Sequence, residues 1–355
     1  MIAWIIDWAG EEWTAALFGL LGGIVLGIAA RVGRFCSLGA IEDQLYAGST
    51  LRLQMWGVAI AVAITASFAA IAAGLVDPML SFYLSQQFNP LPVVIGGLIF
   101  GYGMAIAGNC GFGALARLGG GDIRAFVILL IIGIAAYVMT SGPLADLRVM
   151  LFPPVATEVP QSFAHALSPA LGVAPEWIGL AVGLLGLTLL ATRAHELREA
   201  PSYAVWGAVV GLAITGGWVS TAWIAEVGFA APELRSHTFS TPVGDTLLYA
   251  MLSTGLTVNF GMGSVAGVVL GSAMGSLWLG QFRWEACDDP RELQRQMSGG
   301  WLMGFGSVLA LGCSLGQGLS AMSLLAYSAP LVLVSIYIGA RLGLRQLIEG
   351  FSPAE

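Results

Sequence analysis

Lysine is absent from these 355 residues; all 14 positive charges are arginines. Without lysine there is no G-x4-G-K-[ST] loop, which excludes a phosphate-binding ATPase loop as a source of energy. No basic tract or aromatic-basic patch occurs, so nucleic acid is not an expected partner, and the net charge of −7 says little about others. Charge of either sign is scarce. Only 10% of the residues are charged, against about 25% in a soluble domain, too few to cover a globule of this length. The four cysteines form no C-x-x-C pair, which argues against a disulfide framework and against a structural zinc site. His165, His195 and His237 are scattered; they are expected to be solvated, and none forms a metal-ligand pair. No catalytic constellation, metal site or cofactor is expected, and no enzyme. A charged leader and a small-residue cleavage site are also missing, so no removable signal peptide is expected.

What is present is apolar. The chain is 57% hydrophobic, and several runs reach the ~20 residues that cross a bilayer as a helix. They are continuous, without the alternation of a membrane barrel. The fold class expected is an all-α polytopic membrane protein with about nine transmembrane helices. The spans fall near 13–33, 51–76, 91–109, 122–141, 176–194, 201–219, 245–280, 299–312 and 328–347. The 245–280 run is too long for one straight helix and must bend or include a surface piece. Trp4, Trp8 and Trp13 read as an interfacial aromatic belt. With the N-terminus outside and the C-terminus in the cytoplasm, Arg31, Arg34, Arg52, Arg117, Arg124, Arg193, Arg198, Arg283, Arg291, Arg295, Arg341 and Arg345 fall on the cytoplasmic side. Only Arg148 and Arg235 fall outside, and the opposite orientation would break the positive-inside rule at almost every loop. The Pro-rich stretch 142–175 reads as an external loop with room for a short surface helix. Segment 281–297 reads as a charged cytoplasmic loop, partly helical after Asp288 or Asp289 as cap.

Three of the four cysteines stand in copies of one pattern, G-G-x3-G-x8-C-x2-G: Gly22-Gly23, Gly27, Cys36, Gly39; Gly96-Gly97, Gly101, Cys110, Gly113; and Gly299-Gly300, Gly304, Cys313, Gly316. A decayed copy has Gly207, Gly211, Ser220 in the cysteine's place and Trp223 in place of the last glycine. Each unit is a helix, a small-residue segment opened by the cysteine or serine, and a second helix. Residues 13–141 hold two units and residues 201–347 two more, within one integral membrane domain, 1–355. Residues 142–200 supply the external loop and an odd connecting span, which inverts the second half. Inverted repeats of this kind place a substrate site near the bilayer midplane. Segments 36–48 and 110–119 are then re-entrant from the cytoplasmic side, and 220–230 and 313–325 from the other. The Gly-x3-Gly spacings read as helix packing.

Helix breaks at membrane depth are tolerated only where backbone is buried in protein or lines a cavity. A new helix starting there turns free N–H groups toward the cavity, which favours an anion. Thiols are soft, polarizable and weak donors, so the combination suits a sulfur-containing anion. The residues expected along the path are Cys36, Cys110 and Cys313, with Asn109, Ser314 and Gln317 as donors and Gly111 and Gly316 leaving backbone open. Arg34 and Arg117 flank the first two segments; they serve the positive-inside rule, or attract the anion at the inner mouth. Glu42 and Asp43 read as capping or paired. Cys287, in EACDDPR, has two acids beside it that disfavour its thiolate, and reads as incidental.

The segments RVGRFCSLGAIED, GLIFGYGMAIAGNCGFGALARLGGG and WLMGFGSVLALGCSLGQGLSAMSLL resemble the three cysteine motifs of the YeeE/YedE sulfur-transport membrane family, along essentially the whole chain. The resemblance implies an hourglass of nine spans with short re-entrant helices in a bacterial inner membrane. It also implies import of thiosulfate by relay between Cys36, Cys110 and Cys313 through S–H···S contacts, and suggests a cytoplasmic sulfur-carrier protein as partner. Asn109 and Gly111 depart from the family pattern beside the second cysteine, and Asn109 could alter which sulfur species is preferred. Three alternatives remain open. The anion could be sulfite or a selenium compound. A membrane thiol oxidoreductase would need two thiols in reach of one another. A Cu(I) permease would want spaced methionines, and the 12 Met residues form no such motif.

Overall fold

The computed structural model describes residues 6, 10–157, 159–228, 234–286 and 289–350. Trp4, Trp8, Asp288 and Cys287 lie outside the described residues, as does part of 220–230. In chain order the main helices are α1 (Glu11–Arg31), α2 (Ser37–Glu42), α3 (Leu51–Ala72), α4 (Pro90–Ala107), α5 (Gly111–Gly119), α6 (Ile123–Thr140), α7 (Pro175–Arg193), α8 (Pro201–Val227), α9 (Thr241–Leu252), α10 (Phe260–Trp278), α11 (Pro290–Leu309) and α12 (Ser328–Glu349). No strand occurs among the described residues, only isolated bridges between loops. Among the described residues eight helices are long and apolar enough to cross a membrane, with α4 and α5 taken as one, Pro90–Gly119. The chain is a multi-pass all-α membrane protein.

Local chemistry explains most boundaries. Asn89, Asp122 and Asn259 cap α4, α6 and α10 by accepting from Leu91 N at 3.1 Å, Arg124 N at 3.0 Å and Met262 N at 3.0 Å. Such caps satisfy N–H groups that a helix start leaves unpaired. The sequence reading is refined at two places and corrected at two. The 245–280 run is two helices, α9 and α10, because Asn259 caps a fresh start after Gly255. The span expected at 299–312 begins earlier: Asp289 accepts from Arg291 N at 2.8 Å and Pro290 holds the first helical position, so α11 carries Arg291, Glu292 and Arg295 in its opening turns. The charged loop is correspondingly shorter than 281–297. Segment 220–230 is no separate re-entrant piece, since α8 runs unbroken through Ser220 to Val227. Stretch 142–175 carries two short helices, Ala145–Leu151 and Phe163–Leu171.

Glycines set the packing. A Cβ on Gly19, Gly23 or Gly27 of α1 would overlap the carbonyl oxygens of Phe260, Ser264 and Val268 in turn. Gly263, Gly267 and Gly271 of α10 stand in the same relation to Ala16, Leu20 and Ile24. The two helices therefore run parallel with their backbones in contact. Close backbone approach of this kind replaces the hydrophobic driving force that lipid removes. The pair α4 and α12 repeats it, with Gly101 against Ile336 and Gly339 against Leu98. Likewise Gly207 and Gly211 place α8 parallel to α3, and Gly300 and Gly304 place α11 parallel to α6. α11 runs antiparallel to α4, Gly299 meeting Gly103 and Gly306 meeting Gly96. It is thus wedged between α4 and α6. The pairings form two matching sets: α1 and α3 pack on α8 and α10, while α4 and α6 pack on α11 and α12.

Candidate functional site

The three cysteines share one backbone device. The residue two before each lies in the left-handed region: Arg34 at φ 56°, Gly108 at φ 75° and Leu311 at φ 59°. That conformation ends the preceding helix. It is strained by roughly 1–2 kcal/mol for a residue with a Cβ, and it tends to gather at functional sites. Each cysteine then restarts the helix as its N-cap. The Sγ atoms of Cys36, Cys110 and Cys313 accept from Gly39 N at 3.5 Å, Gly113 N at 3.4 Å and Gly316 N at 3.4 Å. The C-x2-G spacing is therefore a thiol cap on the third N–H of a new helical segment. Two of the glycines are also held by neighbours: a Cβ on Gly39 would overlap the Arg52 guanidinium, and one on Gly316 the Thr238 side chain. Two of the segments contain a π-helical stretch, Asp43–Ala47 and Gly316–Ala321, a departure often found at functional sites.

The segments converge. Ser37, beside Cys36, donates from its hydroxyl to Ser314 Oγ at 3.2 Å, and it also lies 3.6 Å from Met104 Sδ. Ser314 adjoins Cys313, so the first and third segments touch. Met104 belongs to α4, the helix that leads into the Cys110 segment. Cys110 and Cys313 are buried, Cys36 partly so, and all three are free thiols. Gly111 backs onto the Phe239 carbonyl, and the Phe112 and Phe239 rings stack with centroids 5.3 Å apart.

Asn109 is 2% exposed, and neither its Nδ2 nor its Oδ1 has a hydrogen-bond partner. A buried amide of this kind costs about 1–3 kcal/mol per unsatisfied group. Gln317 is otherwise placed: its Nε2 donates to Leu311 O at 3.2 Å and its Oε1 accepts from Ser328 at 3.0 Å, so both ends of the amide brace the Cys313 turn. Arg117 donates to Gly108 O at 3.2 Å and caps the end of α4, while Arg34 is exposed. Asp43 pairs with Arg52 at 3.0 Å.

The fourth copy behaves differently. Ser220 lies inside α8 and donates to Gly217 O at 3.1 Å. The non-helical backbone that reaches Cys313 is instead the run 234–240, which the sequence reading missed. Thr238 Oγ1 lies 3.7 Å from Cys313 Sγ, Ser236 donates to Ile214 O at 2.7 Å, and Ser320 to the His237 carbonyl at 2.7 Å. The signal available was the polar run SHTFST between apolar spans. His237 is 1% exposed, not solvated as expected, because α1, α8 and α10 close around it. A cavity of about 580 Å³, lined by Glu11, Tyr137, Thr221, Arg235, Asp245 and Phe260 among others, opens near the start of α1 and the end of α6. None of the three cysteines lines it. Among the described residues no group of three or more His, Cys, Asp or Glu is placed to hold a metal ion.

Against known proteins, the profile of the sulphur transport family matches residues 32–342. The thiosulfate transporter TsuA of Escherichia coli (strain K12) is 27% identical over 331 residues, spanning 91% of this chain and 92% of that one. The protein of the same name from Spirochaeta thermophila is 26% identical over 345 residues, spanning 92% and 96%.

Proposed function

The chain belongs to the sulphur transport family, a family of transport proteins rather than enzymes, and from that premise we propose that it is a permease for thiosulfate. The anion passes inward from the side on which α1 begins, along a path bounded by the three cysteine segments. Cys36, Cys110 and Cys313 make transient thiol–sulfur contacts with it, and Asn109 and Ser314 supply hydrogen bonds. The observation that carries this reading is the threefold cap: three thiols in one sequence register, each opening a new helical segment, the first and third of these segments meeting through Ser37 and Ser314. A thiol that only filled space would not need a strained turn before it and a free helix start behind it. The unpartnered amide of Asn109 adds a donor where the path passes Cys110. Gly111 and Gly316 keep backbone close to the path, and Arg34 and Arg117 stand at its inner mouth. The matching packing sets of α1, α3, α8, α10 and α4, α6, α11, α12 support an inverted repeat. With the arginine distribution, the helix directions support an N-terminus outside and a cytoplasmic C-terminus in a bacterial inner membrane. A small sulfur-carrier protein would collect the product at the inner face.

The test is uptake of labelled thiosulfate by cells making the protein, with unlabelled sulfite and selenite as competitors. Saturable uptake that thiosulfate blocks at lower concentration than either competitor supports the assignment. Stronger block by selenite or sulfite moves the substrate to that anion. No uptake by protein that is inserted in the membrane rejects the reading.

A further inference from the structure

His237 is enclosed near the middle of α1 and takes no part in the path described above. Its Nδ1 meets Ser264 Oγ at 2.6 Å. Its Nε2 is buried without a hydrogen-bond partner and points at Gly22, where a Cβ would overlap it. A second cavity, of about 400 Å³, lies between α1 and α8 with His237 and Ser220 as its polar side chains. On its other side the ring packs on Phe260, centroids 4.9 Å apart, and Phe260 also lines the 580 Å³ cavity that holds Glu11 and Arg235. One residue further on, Thr238 touches Cys313. The groups facing the ring are Gly22 from α1, Gly217 and Ser220 from α8, and Phe260 and Ser264 from α10, while Ser320 from the third cysteine segment donates to the His237 backbone carbonyl. None of these carries an ionisable side chain; Glu11 and Arg235 line the cavity beyond Phe260, and Thr238 leads to Cys313.

We propose that His237 is a proton-binding site that couples anion entry to proton entry, an inference that rests on the permease reading above. With Nδ1–H donated to Ser264, Nε2 presents a lone pair with nothing to accept from. A bare imidazolium there would be costly, and so would a bare anion beside Cys313. Together they offset one another, so each favours the binding of the other. The proton enters from the 580 Å³ cavity past Phe260, binds Nε2 as the anion reaches Thr238 and Cys313, and leaves with it on the inner side. Such coupling supplies what the missing ATPase loop does not. A dianion entering a compartment held negative climbs the potential with each charge, and each accompanying proton cancels one.

Purified protein in lipid vesicles with a pH-sensitive dye inside, given labelled thiosulfate at a series of external pH values, tests this. The wild type is expected to accumulate label and acidify the lumen, uptake falling roughly tenfold per pH unit above the site's titration, the slope of one proton. His237→Gln is expected to admit label only down its own gradient, with no acidification and a flat pH profile. Ser264→Ala, which keeps the imidazole but removes its partner, is expected to move the profile along the pH axis. Label entering wild-type vesicles without acidification overturns the coupling, as does undiminished acidification by His237→Gln or an unmoved profile in Ser264→Ala. If no label enters with the wild type at any pH, the thiosulfate reading itself has failed, and the coupling falls with it.

Discussion

Two stretches of the second half carry the same glycine ladder into opposite backbones. After Gly300 and Gly304, α11 stops at Leu309 and Cys313 opens a new segment; after Gly207 and Gly211, α8 runs straight through Ser220. The ladder does the same work in both, laying α11 on α6 and α8 on α3. What differs is the pair of residues ahead of the thiol position. Leu311 and Gly312 have φ values of 59° and 154°, whereas Trp218, at the matching place, stays helical, fully buried, with its Nε1 donating to Ser323 Oγ at 2.9 Å. Breaking the helix and packing it are therefore separate devices, and the thiol belongs to the first.

That separation can be attacked directly. The largest effect expected is on transport: Cys110→Ala and Cys313→Ala should each reduce thiosulfate uptake to background. The amount of inserted protein should be unchanged, since losing a weak cap costs no more than about 1 kcal/mol; uptake and membrane content measured on the same cells decide it. Next comes packing. Gly101→Ala forces a Cβ into Ile336 O and should destabilise by about 1–3 kcal/mol. Gly216→Ala, with nothing within 4 Å, should be neutral or gain up to about 1 kcal/mol; thermal unfolding in detergent ranks the two. Asn109→Ala should raise stability by removing two buried unpartnered groups, each worth about 1–3 kcal/mol, and should weaken thiosulfate against sulfite in competition. Leu311→Gly relieves a left-handed residue and should stabilise by about 1 kcal/mol with uptake kept. Smallest is Ser220→Cys, inside an unbroken helix, which should shift stability by no more than about 0.5 kcal/mol and leave uptake as it was. A new thiol there that raised uptake would erase the distinction.

The helical class was legible because it follows from local composition: apolar runs of bilayer length. The Asp289 start of α11 was legible too, as an acid before a proline. What escaped the sequence reading depends on contacts between distant segments. The charged opening turns of α11 belong to a helix that packs between α4 and α6, and no hydropathy window shows that. Ser220 was expected to open a segment because its spacing matches the cysteines; a buried Trp218 held by Ser323 keeps α8 whole. His237 was expected in solvent because a lone histidine carries no pattern, and Thr238 was passed over for the same reason. At the candidate site, spacing singled out the three cysteines, but only the structure shows that they cap their helices and that Asn109 is left without partners.

The central claim is that the capped thiols carry the anion. It is tested most directly by labelled thiosulfate uptake into vesicles holding purified wild-type protein or a variant combining Cys36→Ala, Cys110→Ala and Cys313→Ala. The account predicts saturable uptake by the wild type and none above protein-free vesicles by the variant, with both eluting as folded protein in detergent. Wild-type uptake by the folded variant would contradict it.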